Sequence, residues 1–234
     1  MRSIDAVITW FDGSDEDYKK KIESHLTTST NYKKQYLQAN EIEYCVKSIL
    51  KFAPFVRRIF IVTDNQKPSF KGLEDLIVSN KVKIVDHKEI FKGYEKYLPT
   101  FNIRSIDAML HRVEGLSETF VYFNDDVFLI NNIREEDWFV KNKGVLMGKW
   151  AKSYSINPLK VLSGKFKKIF GLRPSFNASQ SKAANITGFK KEYFKSYHTA
   201  RPQIKSLIKE FYHKNPESLI DQIKYRFRHY NQFM

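Results

Sequence analysis

Three adjacent polar residues interrupt an apolar and aromatic run. Residues 120–130 read Phe-Val-Tyr-Phe-Asn-Asp-Asp-Val-Phe-Leu-Ile, and the flanks of Asn124, Asp125 and Asp126 are typical of a buried strand. Two adjacent carboxylates in an apolar setting repel each other, and burying them without a partner is unfavourable. A divalent cation removes both costs, and carboxylate oxygens suit Mg²⁺ or Mn²⁺. The residue types therefore predict a metal site. The alternative is a tight turn between two strands, which Asn and Asp favour.

Three other predicted strands end in loops that begin with Asp. The strands span residues 4–11, 56–63 and 82–85, and their loops begin at Asp12, Asp64 and Asp86. Ligands of open α/β sheets bind where the carboxyl ends of the strands give way to loops, so Asp12 and Asp15 lie where a nucleotide would bind. The alternative for this pair is a turn followed by a helix cap.

Helical periodicity separates these strands. Helices are predicted over residues 15–25, 41–51, 103–113, 201–212 and 216–230, with a helical turn or two over 189–197. Alternating strands and helices predict an α/β sheet flanked by helices. Further predictions are a polar loop over 27–38, a strand over 144–150 and a basic loop or lid with short helices over 152–182. We expect residues 1–150 to form the nucleotide-binding α/β region and residues 151–234 to complete the same domain.

Composition limits the class of protein. The 234 residues are 42% hydrophobic and 15% aromatic, which allows a sizeable core. Cys45 is the only cysteine, which excludes an intramolecular disulfide and fits a reducing compartment. The sequence contains no apolar run of membrane-spanning length, and early acidic residues argue against a signal peptide. These features predict a cytoplasmic protein.

Charge is distributed unevenly along the chain. Residues 1–140 carry 20 Lys+Arg and 22 Asp+Glu, whereas residues 141–234 carry 20 and 4, a net charge of +16. A basic second half suggests an anionic partner, such as a nucleotide diphosphate, anionic polysaccharide, acidic lipid headgroups or nucleic acid. The alternative for most of these lysines is a solvated surface. Contact with acidic lipid headgroups would place the protein peripherally on the inner face of a cell membrane. Nucleic acid is disfavoured, because the aromatic residues of this half form no recognised nucleic-acid motif.

Several segments, taken in order, resemble the conserved blocks of the Stealth proteins. Residues 4–15 resemble the first block, and residues 198–199 with 226–228 resemble the third. The second block is matched by a series of segments at 40–41, 52–54, 61–64, 85–87, 98–102, 115–117 and 122–129. The resemblance implies a GT-A-like fold, in which an α/β sheet binds a nucleotide sugar.

The resemblance also implies a function in capsular or exopolysaccharide synthesis. Stealth proteins transfer hexose-1-phosphate from a UDP-sugar to a hydroxyl with the help of a divalent cation, forming a phosphodiester and releasing UMP. N-acetylhexosamine-1-phosphate is the expected group here, and a polysaccharide or lipid-linked glycan is the expected acceptor. Carried over to matched positions, the metal ligands are Asp125 and Asp126, the active-site residues include His198 and Arg228, and the substrate-binding residues are Trp10, Asp12, Asn102 and Asn124.

The implied chemistry needs a base and a phosphate clamp. His198 suits the base, because an imidazole takes up a proton near neutral pH. Arg228 suits the clamp, because a guanidinium binds phosphate oxygens in a two-pronged fashion. Arg226 is the alternative. The two arginines are two residues apart, and on a helix over 216–230 only one of them would face the site.

The sequence departs from the family pattern at a few positions. Ile103 and Arg104 replace a usual Ser-His pair, and Asp107 replaces a Glu. The sequence given ends at Met234, where longer members continue into a fourth block. Two alternatives therefore stay open. One is a glycosyltransferase that releases UDP, and the other is an inactive truncated or split-enzyme partner that binds anionic polysaccharide.

Overall fold

The computed structural model describes residues 3–26, 39–170 and 175–233, apart from the Lys168 side chain. The loop predicted over 27–38 lies outside the described residues, as does part of the basic segment 152–182. The central element is a five-stranded sheet with the order β3-β2-β1-β4-β9. Its strands are β1 (Ile4–Thr9), β2 (Ile59–Thr63), β3 (Val82–Asp86), β4 (Thr119–Asn124) and β9 (Arg201–Ile204).

Four strands of this sheet are parallel and the last is antiparallel. β1 pairs in parallel with β2 and β4, and β2 pairs in parallel with β3. β9 pairs antiparallel with β4, so that Tyr122 faces Arg201. Pro202 has no backbone N–H to donate, which restricts it to an edge strand such as β9. Because the parallel strands share one direction, their carboxyl ends meet at one edge of the sheet.

Helices cover both faces of the sheet. The helices are α1 (Glu16–Glu23), α2 (Glu41–Phe52), α3 (Leu73–Val78), α4 (His87–Ile90), α5 (Ile103–Met109), α6 (Glu135–Trp138), α7 (Pro158–Ile169), α8 (Phe176–Ile186), α9 (Lys205–Lys214) and α10 (Pro216–Ile223). Short 3-10 helices span Glu95–Tyr97, Leu110–Arg112 and Tyr154–Ile156. Ile8 packs in one core cluster with α2, whereas Val7 packs in a second cluster with α5 and α10. Burial on both faces explains the continuous apolar runs of β1, β2 and β4.

Two small antiparallel pairs form separate two-stranded sheets beside the central one. β5 (Phe139–Val140) pairs with β6 (Lys143–Gly144) through a tight turn. β7 (Gly148–Lys152) pairs with β8 (Glu192–Ser196). The predicted α/β class is confirmed. The boundary at residue 150 stays a prediction, although β9 of the second part completes the sheet of the first.

Several predicted element bounds are wrong. β4 ends at Asn124, so no strand continues through Asp125 to Ile130. Residues 192–196 form β8, not a helical turn, and residues 201–204 form β9 before α9 begins. In both cases an available strand edge outweighs helical periodicity, because strand pairing depends on distant residues. α10 ends at Ile223, since the carbonyls of Tyr225 and Phe227 bond to the Asn102 side chain.

Candidate active site

The Asp pair lies at the carboxyl edge of the sheet, immediately after β4. Asn124 is the last residue of that strand, and the backbone N–H of Val127 donates to the Asn124 carbonyl at 3.1 Å. Asp125 and Asp126 therefore occupy a tight turn. The turn alternative is right for the backbone, and the expectation of a strand through the pair is wrong. The turn nevertheless places both carboxylates at the edge where ligands of α/β sheets bind.

Electrostatics make this carboxylate pair unfavourable without a counter-charge. Burial, followed by the charge of Asp126, raises the pKa of Asp125 from 3.8 to about 6. Burial and the charges of both aspartates also raise the pKa of the Cys45 thiol, whose Sγ lies 3.8 Å from the Asn124 carbonyl. By contrast, the buried Asp5 is neutralised by Arg57, which donates to its two oxygens at 2.9 and 2.6 Å.

The donor set at this turn fits a hard divalent cation. Within the described ranges, no group of three or more His, Cys, Asp or Glu side chains is arranged to hold a metal ion. Two adjacent carboxylates are nevertheless the protein ligands with which Mg²⁺ is commonly bound beside substrate phosphates. The raised pKa of Asp125 supports this fit, because a cation would stabilise the ionised carboxylate.

His198 contacts this pair from the loop between β8 and β9. Its Nε2 lies 3.2 Å and 3.3 Å from the two carboxylate oxygens of Asp126. Its Nδ1 lies 3.4 Å from Nδ2 of Asn124. The His198 and Asp126 side chains are each 59% exposed, so both are accessible to a ligand.

A chain of hydrogen bonds sets the orientation of this imidazole. The Tyr122 hydroxyl lies 2.9 Å from Oγ1 of Thr9 and donates to Oδ1 of Asn124 at 2.6 Å. The amide nitrogen of Asn124 therefore points to His198 and donates to Nδ1. Nε2 then carries the proton and donates to Asp126. In this tautomer Nδ1 is the hydrogen-bond acceptor, and its partner among the described residues is the Asn124 amide at 3.4 Å.

Arg201 and Asp107 lie beside Tyr122, whose hydroxyl bonds to Asn124. The Arg201 guanidinium lies 4.7 Å from the centre of the Tyr122 ring, and its Nη2 lies 3.4 Å from Oδ2 of Asp107. Sequence reasoning did not assign Arg201, Tyr122 or Thr9 to the site. The available signal was the position of Arg201 three residues after His198, together with the Asp at 107.

Asp12 follows β1, the strand next to β4, at the same edge of the sheet. Its Oδ1 accepts hydrogen bonds from the backbone N–H and hydroxyl of Ser14 at 2.8 and 2.6 Å. The Gln66 side chain bonds the Asp12 backbone N–H and carbonyl at 2.9 and 3.1 Å, which ties this loop to the one after β2. Trp10 is buried, and its indole N–H has no partner among the described residues.

The other acidic strand ends serve the fold. Asp15 caps α1 by accepting from the N–H of Tyr18 at 2.7 Å, as the cap alternative predicts. Asp64 pairs with Lys21 at 2.9 Å. Asp86 caps α4 and accepts from the N–H of Asn65 at 2.7 Å.

Asn102 is fully buried and positions the C-terminal segment. Its Nδ2 donates to the carbonyls of Tyr225 and Phe227 at 3.0 and 2.9 Å and to Oε1 of Gln232 at 2.9 Å. Its Oδ1 accepts from the N–H of Arg104. These bonds use both ends of the amide, and the substrate contact of Asn102 stays a prediction.

Arg228 is exposed on the segment that Asn102 holds. Because α10 ends at Ile223, the helical argument for choosing between Arg226 and Arg228 is wrong. Arg226 donates to the Leu98 carbonyl at 3.3 Å. Arg228 lies near the buried Arg104, since burial and then the Arg228 charge lower the pKa of Arg104 to about 10. The charge of Arg228 therefore acts on Arg104 of α5.

Fold and candidate site together describe an α/β domain with a carboxylate pair at the carboxyl edge of its parallel strands. Residues 35–147 match the family model described as Stealth protein CR2, conserved region 2. This match confirms the resemblance to the Stealth proteins over residues 35–147.

Relatives of this chain include several bacterial phosphotransferases. It is 43% identical over 145 residues to the capsular polysaccharide phosphotransferase fcs1 of Haemophilus influenzae, covering 59% of this chain and 38% of that protein. It is 39% identical to the receptor polysaccharide phosphotransferase WefC of Streptococcus oralis, and 37% identical to the exopolysaccharide phosphotransferase SCO6021 of Streptomyces coelicolor. Each of these two matches covers 59% of this chain. The first covers 42% of WefC and the second covers 26% of SCO6021. This chain thus spans less than half the length of these relatives.

Two solved structures show a more distant similarity. They are the galactosyltransferase LgtC with donor and acceptor sugar analogs, at 11% identity, and mouse xyloside xylosyltransferase 1, at 12%. The matches cover 97% and 99% of this chain, and 68% and 78% of those chains, with TM-scores of 0.42 and 0.40. At these TM-scores neither similarity carries an argument about activity. Within the described residues, none of the helices has the length and apolar character needed to cross a membrane.

Proposed function

We propose that this chain carries the catalytic centre of a sugar-1-phosphate transferase of capsular or exopolysaccharide synthesis. The enzyme transfers hexose-1-phosphate, with N-acetylhexosamine-1-phosphate as the expected group, from a UDP-sugar to a sugar hydroxyl. The main observation behind this proposal is the Asp125–Asp126 turn at the carboxyl end of β4, where the His198 imidazole lies 3.2 Å from Asp126. The match to Stealth conserved region 2 supports the assignment of this centre to phosphoryl transfer.

Asp125 and Asp126 would hold Mg²⁺ or Mn²⁺ in this proposal. Such a cation, when bound, neutralises charge on the diphosphate oxygens of the donor. Arg228 adds a positive charge from the C-terminal segment and binds phosphate oxygens through its guanidinium. Trp10 and Asp12, after β1, contact the donor nucleotide, and Asn124 orients His198.

His198 acts as the general base in this proposal. The acceptor hydroxyl oxygen forms a bond to the β-phosphorus of the donor, the bond from that phosphorus to the bridging oxygen breaks, and UMP leaves. The hydroxyl proton moves to Nδ1 of His198, the nitrogen that accepts the long hydrogen bond from Asn124. Asp126, at Nε2, then stabilises the imidazolium by its negative charge.

We also propose a cytoplasmic location with peripheral contact to an anionic membrane. Leu159, Leu162 and Phe166 are exposed along α7, and Lys160 and Lys165 are exposed on the same helix. A helix with exposed apolar residues and flanking lysines suits an anionic lipid interface. Binding to vesicles that contain phosphatidylglycerol, and not to neutral phosphatidylcholine vesicles, supports this contact. Equal binding to both would contradict it.

A panel of UDP-sugars tests the catalytic proposal. The chain is incubated with each donor, an oligosaccharide acceptor and Mg²⁺ or Mn²⁺, and the released nucleotide is identified. UMP release supports the proposal. UDP release would indicate a glycosyltransferase instead, and the absence of any release across the panel would indicate an inactive partner that binds anionic polysaccharide.

A further inference from the structure

A cavity of about 420 Å³ lies between α5, β9, α9 and α10. Its apolar wall includes Leu146, Leu207, Ile208 and Tyr212. Three charged side chains also line it, namely Arg104, Asp107 and Arg201. None of these three carries a role in the proposed transfer, so the cavity is a feature that the catalytic proposal does not use.

Arg104 is the unusual residue of this wall. Its side chain is 5% exposed, and its Nη1 is buried without a hydrogen-bond partner among the described residues. The carboxylate of Asp107, one helical turn further along α5, pairs instead with Arg201 at 3.4 Å. A buried charge without a partner is costly, and the nearby charge of Arg228 adds to the cost. The described wall therefore has one positive charge in excess, which suits an anion.

The cavity is connected to the candidate active site by direct contacts. Arg201 stacks on the Tyr122 ring, and the Tyr122 hydroxyl donates to Asn124, the residue before Asp125. A ligand in the cavity would therefore lie beside the wall of the active site. The proposed function places the donor diphosphate at the carboxylate pair, which leaves the cavity to the acceptor.

We propose that this cavity binds a phosphodiester group of the acceptor chain through Arg104. A phosphodiester carries one negative charge, which equals the excess positive charge of the described wall, whereas a diphosphate carries more. The apolar wall, with Tyr212, offers surface for the sugar rings on either side of the phosphodiester. The inference rests on the proposed function, because earlier rounds of sugar-1-phosphate transfer would leave such phosphodiesters in the acceptor.

Binding without turnover tests this inference separately from the proposed function. The probe is the methyl ester of glucose 1-phosphate, a phosphodiester, and the matched neutral probe is methyl glucoside. Each is titrated by calorimetry into the chain in EDTA, which removes divalent cations. We expect the phosphodiester to bind at least about 10-fold more tightly than the glucoside. Hydrogen bonds between the Arg104 guanidinium and a charged phosphodiester add to the binding free energy, and the neutral glucoside cannot form them. Equal binding of the two probes would overturn the inference.

Two variants assign the binding to Arg104. Arg104→Gln should weaken binding of the phosphodiester by about 10- to 100-fold. Arg134→Gln, at an arginine whose side chain is 80% exposed, is the matched control and should leave this binding unchanged. UDP affinity in the presence of Mn²⁺ should be the same in both variants. A loss of UDP affinity in Arg104→Gln with unchanged phosphodiester binding would assign Arg104 to the donor and overturn the acceptor site.

The stability of the ligand-free chain gives an independent readout. Arg104→Met removes a buried charge whose Nη1 has no hydrogen-bond partner in the described part of the chain, so it should raise the Tm of the chain in EDTA. A lower Tm would show that Arg104 serves the fold and would overturn the inference. The comparison of phosphodiester with glucoside uses the unaltered chain, so its result does not depend on how the variants fold.

Discussion

Asp125 should destabilise the ligand-free protein, and Asp125→Asn should relieve this cost. Burial and the charge of Asp126 raise the pKa of Asp125 from 3.8 to about 6. A shift of about two units corresponds to roughly 3 kcal/mol, at about 1.36 kcal/mol per unit. Because Asp125 is partly exposed, solvent screening reduces the expected effect to about 1–2 kcal/mol.

The pH dependence of this effect has a defined sign. The folded chain holds the Asp125 proton more tightly than the unfolded chain, since its folded pKa is the higher one. Stability therefore falls as pH rises from about 4 to about 6, and the full penalty is present above that window. At pH 7.5 in EDTA, Asp125→Asn should raise the Tm by about 2–8 °C, and the difference should disappear near pH 4.

Thermal unfolding followed by circular dichroism from pH 4 to pH 8 checks this prediction. Asp17→Asn is the matched control, because the Asp17 side chain is 95% exposed and its replacement should show no such pH-dependent gain. Added Mn²⁺ should stabilise the unaltered chain more than Asp125→Asn. A lower Tm for Asp125→Asn at pH 7.5 would refute the reasoning, because it would make Asp125 a stabilising turn residue.

Three further substitutions separate chemistry from folding. His198→Ala should lower kcat by at least about 100-fold while UDP affinity is retained, as expected for a general base, and steady-state kinetics with a binding titration check both. Tyr122→Phe should lower kcat by about 10-fold, because Asn124 loses the hydroxyl that orients it. Steady-state kinetics check this prediction, and the Tm should change only slightly. Asn102→Ala should lower the free energy of unfolding by about 2–3 kcal/mol, measured by urea denaturation, since the three hydrogen bonds that the Asn102 amide donates are lost.

The part of the fold that follows from local pattern could be predicted from the sequence. The apolar runs of β1, β2 and β4 are buried on both faces, and the polar residues that follow them mark the edge of the sheet. Helix α2 follows its apolar periodicity closely. The Asp pair could be found from the sequence, because two adjacent carboxylates after a buried strand repel each other and are costly to bury without a partner.

The part that depends on distant pairing could not be predicted in this way. β9 forms because β4 offers it an edge, and β8 forms because β7 is its partner. The early end of α10 depends on a side chain more than 120 residues away in sequence. The placement of Arg201 has the same origin, because its contacts with Tyr122 and Asp107 exist only once β9 has paired.

The fate of the donor β-phosphorus tests the central claim most directly. The chain is incubated with Mn²⁺, an oligosaccharide acceptor and a UDP-sugar labelled at the β-phosphorus, and the label is followed into product and nucleotide. Transfer of sugar-1-phosphate predicts the label in a phosphodiester on the acceptor, with unlabelled UMP released, and loss of both in Asp126→Asn. Label recovered in UDP, beside an unlabelled glycoside product, would contradict the account.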